Sequence, residues 1–145
     1  MATPFRFRLD RVRDVRVREE DLAREALSGA LRARDSSVDV VDGLTGRLRA
    51  VQVVPAADTP TGGADLVARQ RWVQSLEGQV AAARGELRRH DATVSTRRLE
   101  LTDAGRRRQA LDRLRERRAA EHHLAEGRRE AAELDEMALL RRVVA

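Results

Sequence analysis

The chain has 145 residues, of which 41% are hydrophobic, 37% charged and only 2% aromatic; with roughly 25% charged residues in an average chain, this balance allows one domain but no ring-built compact core, and it suits narrow apolar stripes buried between wet helices. All 29 basic residues are arginine, which keeps its charge at any accessible pH and accounts for a pI near 11.2, and the lack of cysteine excludes disulfides and thiolate metal sites. No apolar run approaches the roughly 20 residues that span a bilayer, and MATPFRFRLDRVRD lacks the apolar stretch of a secretory signal, so the chain is expected to be intracellular and soluble and to meet a membrane only through partners.

The first element is signalled by Thr3-Pro4, a capping residue followed by the residue best tolerated at the first helical position. Apolar residues then recur at Phe5, Leu9, Val12, Val15, Leu22, Ala26 and Ala30, spacings that mark one helical face. The stretch 35–46 is weaker, because serines, valines and two glycines all disfavour a helix. Val38 to Val40 and Val51 to Val53 could pair as a β-hairpin around Asp42-Gly43. Against that, Val41, Leu44, Leu48 and Val51 keep helical spacing, and a lone hairpin is marginal, which favours a continued, frayed helix.

Pro55 to Gly63 is the break, since two prolines and a glycine pair cannot sit inside a helix. The second helix starts near Ala64 or Asp65. Its Val73, Leu76, Val80, Ala83, Leu87, His90, Val94, Arg97, Leu101 and Ala104 alternate by three and four, the seam of a coiled coil. The phase moves at Leu111 and Leu114, and Leu124, Ala131, Leu134 and Ala138 follow in the new one. The expected fold is therefore all-α: one domain over 1–145, an elongated antiparallel coiled-coil hairpin of two helices. Helix one covers about 5–53, the turn about 54–63, and helix two about 64–142. Those arms are about 75 and 115 Å long at 1.5 Å per residue. Folded back, the first would cover the second only to about residue 112, leaving some thirty residues bare with Leu124, Leu134, Met137, Leu139 and Leu140. An apolar stripe without a partner in its own chain implies one in another.

Motifs for chemistry are scarce, and no enzyme activity and no cofactor are expected. His122 and His123 are adjacent, so on a helix they point about 100° apart and cannot chelate one ion together; they read as solvent-facing or seam-edge. His90 falls on the seam. Gly62-Gly63 is not followed by Lys-Ser, so there is no phosphate loop. Carboxylates such as Asp135 and Glu136 have no cleft to tune them, because a two-helix hairpin offers no cavity.

The net charge of +5 is concentrated. Arg97, Arg98, Arg106, Arg107, Arg108, Arg113, Arg115, Arg117 and Arg118 meet only four acids between residues 97 and 118, so the rest of the chain sums to zero. This basic patch could hold a phosphate backbone, an acidic protein surface, or nothing, as a solvated face pairing Asp103 with Arg107 and setting Asp112 and Glu116 beside Arg113 and Arg117. Without aromatic residues among the arginines to stack bases, nucleic acid is disfavoured. Trp72 could cap the turn or serve as a binding hot spot.

Phe-x-Phe-x-Leu-x-x-Val at Phe5, Phe7, Leu9 and Val12, a central break, and LDRLRERRAAEHHLAEGRREAAELDEMA at 111–138 resemble the FliJ family, general chaperones of the bacterial flagellar type III export apparatus. The second segment carries Leu111, Leu114, Glu116, Arg117, Arg129, Glu130, Leu134, Asp135 and Glu136 in the family's pattern. The 38–46 stretch, the absence of Lys and Tyr, and the Pro-rich turn depart from it. The resemblance implies a stalk-like coiled coil whose terminal end docks in the hexameric ring of the export ATPase. Here that end is Phe5, Leu9, Val12, Leu124, Leu134, Asp135 and Glu136. It also implies contacts with the membrane-embedded export gate, assigned to Trp72, Leu76 and Val80, and with substrate-specific export chaperones. The implied location is cytoplasmic, peripheral at the membrane through these partners, with a role in motility. The competing readings are a basic nucleic-acid-binding coiled coil and the equivalent stalk of an injectisome or rotary ATPase.

Overall fold

A three-four apolar repeat stabilises a helix only if something covers it, and here each helix covers the other. The computed structural model describes residues 4–53 and 62–144, with side chains to Arg141. It contains α1, Asp10–Val53, and α2, Gly63–Val144. The fold is the expected all-α antiparallel hairpin, with the second helix longer than the first. Most of the expected turn, 54–61, lies outside the described residues, as does Thr3.

The chain divides into two compact units, Met1–Asp21 with Thr102–Ala145, and Leu22–Leu101. Each shows the antiparallel register. In the first, Phe5 meets His122, Asp10 meets Arg115, and Arg13 meets Asp112. In the second, Arg34 bonds Asp91 at 3.0 Å, and Arg69 Nη2 donates to the Val51 carbonyl at 2.7 Å.

The α2 seam is as its spacing predicts. All ten positions from Val73 to Ala104 are buried or half-buried, and among the other residues of 71–104 only Gly85 is not exposed. Leu76 is the deepest, at 1% exposure. Beyond Ala104, Leu111 and Leu114 are half-buried, and so are 112, 119 and 126, one residue later than the continued seam would fall; Leu124, Ala131, Leu134 and Ala138, which the sequence sets in the new phase, are exposed instead, because no part of α1 reaches them. Residues 127–141 are all exposed.

Three expectations change. First, α1 begins at Asp10, not near residue 5. Phe5 and Phe7 are two apart, and a helix would put them on opposite faces. The lead segment instead stays non-helical, so that Phe5 and Phe7 both turn toward α2 while Arg6 and Arg8 stay exposed. A short turn, Asp10 N–H to Phe7 O at 3.2 Å, joins it to the helix, whose first-turn Asp10 suits the positive end of the dipole.

Second, the first half of α1 buries a different face from the one Val12, Val15 and Leu22 mark, while Val41, Leu44, Leu48 and Val51 in its second half are half-buried as their spacing predicts. A row spaced strictly by three and four, 13, 16, 20, 23, 27, 30, 34, 37, 41, 44, 48 and 51, is buried or half-buried throughout, with 17, 19, 26, 29, 31, 38 and 45 half-buried on its flanks. A helix cannot rotate piecewise. Leu27, Val41, Leu44, Leu48 and Val51 set its phase, and carrying that phase back lands on Arg13, Arg16 and Glu20. Val12, Val15 and Leu22 are left exposed. The same packing keeps 35–46 fully helical, against its propensity, with no glycine at positive φ.

Third, coverage of α2 reaches further than residue 112. Val51 is level with Arg69 rather than with the start of α2. The lead segment adds reach, because a non-helical residue spans up to about 3.3 Å against 1.5 Å in a helix. Phe5 therefore lies beside His122, and the bare stretch begins near residue 127.

Candidate functional site

The first unit is organised around charges where a coiled coil normally places leucine. Glu20 is only 8% exposed. Arg108 Nε donates to it, and Arg108 Nη1 donates to Asp112 Oδ2 at 2.5 Å. Arg13 Nε donates to Asp112 Oδ1 at 2.6 Å, closing a chain of four alternating charges. The hydrogen bond from Arg13 holds the Asp112 carboxyl below its usual range, helped by the Arg13 and Arg108 charges. The bond to Glu20 raises Arg108. The network lies where the α2 seam changes phase. Ala104 and Gly105 beside it leave room for Glu20, whose Oε1 is 3.9 Å from where a Cβ on Gly105 would sit.

Next to this network, the lead segment and α2 enclose a groove of about 860 Å³, lined by Phe5, Arg6, Phe7, Arg8, Leu9, Leu114, Arg118, Glu121 and His122. The two helices alone would not make this groove; the non-helical lead segment supplies its second side and leaves it open to solvent. Phe5 packs edge-on against His122 with ring centroids 5.7 Å apart. His122 Nε2 is 4.0 Å from Glu126, while Nδ1 is shielded and has no hydrogen-bond partner among the described residues. His123 turns outward, its ring at 83° to that of His122.

Of the terminal-end set, Phe5 is half-buried in the groove wall, whereas Leu9, Val12, Leu124 and Leu134 are exposed, as are Asp135 and Glu136. Val15 extends the exposed row on α1. Its flank position was hidden in the sequence, because its spacing from Val12 reads as seam. Along the overhang Met137, Leu139 and Leu140 are also exposed.

The basic patch does not act as one surface. Arg108 is inside the network, and Arg115 meets Asp10 at 3.7 Å. Arg97, Arg106 and Arg118 pair one turn away with Glu100, Asp103 and Glu121. The expected Asp103–Arg107 pair is not made, since Asp103 faces Arg106, and Asp112 is engaged by Arg13 and Arg108 rather than lying beside Arg113. Arg107, Arg113 and Arg117 form no ion pair among the described residues.

In the second unit, Leu76 and Val80 are buried in the seam against α1, so of the set Trp72, Leu76 and Val80 only Trp72, at 53% exposure, is offered to solvent. Leu66 and Val67 are exposed on the preceding turn.

The sequence matches the family described as Flagellar FliJ protein over residues 5–143, nearly the whole chain. The chain belongs to the FliJ family. No curated protein and no solved structure matches it. As a FliJ-family protein it is a component of the flagellar export machinery. No described helix of this FliJ-family chain is long and apolar enough to cross a membrane. Among the described residues no cluster of three His, Asp or Glu side chains is placed to hold a metal ion.

Proposed function

We propose that the chain is the coiled-coil stalk and chaperone of the flagellar type III export apparatus, and that its first unit docks in the ring of the hexameric export ATPase. The family match over residues 5–143 carries this reading. The exposed apolar side chains of the first unit support the docking end: Leu9 in the lead segment with Val12 and Val15 on α1, and Leu124, Leu134, Met137 and Leu140 on α2. Exposed apolar rows on a highly charged chain are surfaces that a partner covers. Trp72 is the anchor for the export gate in the second unit, since Trp is the residue most enriched at hot spots and this one is half-exposed. Leu76 and Val80 hold that anchor's helix in place from the seam. Arg107, Arg113 and Arg117 suit the acidic surface of a substrate chaperone. The chain itself does no chemistry, and it stays at the cytoplasmic face of the membrane through its partners.

The test is binding to the purified export ATPase and stimulation of its turnover. The full chain should do both, a chain lacking 127–145 should lose much of each, and Val12→Glu with Val15→Glu should do the same without unfolding the hairpin. Unchanged stimulation in both variants would sink the terminal-end assignment. A nucleic-acid-binding coiled coil predicts instead duplex affinity that falls steeply with salt; weak binding without that slope excludes it.

A further inference from the structure

Sequence alone places Phe5 and Phe7 in a helix; packing places both in the lining of a groove, Phe7 the deeper of the two, with cations on its rim. Phe7, 9% exposed, is the apolar floor, and the half-buried Phe5 and Leu114 with the more exposed Leu9 add apolar lining beside it. The volume of about 860 Å³ falls within the range of pockets that hold small ligands or a few side chains. Arg6 and Arg8 alternate with the phenylalanines, so both guanidinium groups stand at the solvent edge. Neither forms an ion pair with any described residue. Arg118, on the facing wall, is already bonded to Glu121 at 3.0 Å, so the wall's single carboxylate does not neutralise the rim.

We infer that this groove is a peptide-binding site that takes an apolar side chain flanked by carboxylates from a partner protein. The floor supplies the apolar contact, and Arg6 and Arg8 supply paired, charge-assisted hydrogen bonds to the flanking acids. A basic partner is disfavoured by two uncompensated guanidiniums. A bare anion would leave the ring floor uncovered. The inference rests on the docking reading of the first unit only in naming a protein as the partner. Its test uses no ATPase, so either can fail without the other.

The probe is the capped peptide Glu-Glu-Leu-Phe-Glu-Glu, added to full-length ¹⁵N-labelled protein and followed by amide chemical shifts. The expected result is saturable shifts at Arg6, Phe7, Arg8, Leu114 and His122. Binding should weaken about tenfold or more in Arg6→Glu with Arg8→Glu, a change at two exposed positions, and should be unaffected by Arg84→Glu, an exposed position on α2 in the second unit. The peptide with Lys in place of Glu should leave these signals unmoved. No saturable shift, equal affinity in the double variant, or equal binding of the Lys peptide overturns the proposal. So do inorganic phosphate or anionic-lipid vesicles that shift the same amides as strongly as the peptide, since the site would then recognise an anion and not a peptide.

Discussion

Asp112 shows how a single side chain reconciles two helices that would otherwise bury unlike groups. It accepts from Arg13 on α1 and from Arg108 on its own helix, and its carboxyl titrates below the usual value of 3.8 because those bonds favour the charged form. A depressed carboxyl stabilises the fold above its unfolded value and loses that contribution as pH falls through the folded one. Asp112→Asn should therefore lower the melting temperature at neutral pH, and the gap from the native chain should close as pH drops below 3.8. Thermal melts followed by circular dichroism across that range check it; a gap that does not change with pH would be inconsistent with this role. In the second unit the same scale separates Leu76 from Trp72. Leu76→Ala removes the most buried side chain and should cost about 2 to 3 kcal/mol in denaturant unfolding. Trp72→Ala should cost well under half of that, and its effect should instead be on binding.

At the scale of elements, α1 is held in a helix by what it packs against more than by its own residues. Gly43 and Gly46 have helical φ, and a Cβ on either would meet no atom within 4 Å. Each glycine is therefore a pure propensity cost, and Gly43→Ala and Gly46→Ala should each stabilise the protein by about 1 kcal/mol in urea unfolding. Loss of stability in either variant would mean the segment needs its flexibility when folded. The lead segment is the opposite case, non-helical because of its side chains. Phe7→Ala empties the floor of the groove and should destabilise the protein by about 3 kcal/mol. It should also loosen Phe5 from His122, visible as a changed His122 ring signal by NMR.

For the molecule as a whole, the difference in helix length matters most. The stretch 127–141 is fully exposed along α2, so removing 127–145 should change the melting temperature by less than about 2 °C while abolishing much of the ATPase docking proposed above. A large drop in melting temperature would mean that the overhang packs on its own chain. The charge of the whole chain has a similar division of labour. Several arginines of the 97–118 patch neutralise acids at home, and only Arg107, Arg113 and Arg117 remain for a partner.

Composition and spacing by themselves determined the class of fold. A chain with few rings, many charges and a three-four repeat over 73–104 has no solution but helices that cover one another's stripes, and Pro55 with Pro60 and the glycines had to interrupt them. The α2 seam was legible residue by residue because its apolar positions are regular. On α1 the row Val41, Leu44, Leu48 and Val51 was legible too, but the face of its first half was not, since Val12, Val15 and Leu22 carry the right spacing one flank away from the true seam, and only the partner helix could say which row is covered. Likewise the helical state of 35–46 depends on cross-helix packing of the kind that joins Arg34 to Asp91, and the lead segment around Phe7 and the groove depend on contacts between residues about a hundred positions apart, such as Arg13 with Asp112. Local propensity has no knowledge of such contacts. The family, through Phe5, Phe7, Leu9 and Val12 with the 111–138 segment, was written in the sequence; which of those residues remain free to meet a partner was decided by the packing, because a helix of fixed phase can bury only one of its faces.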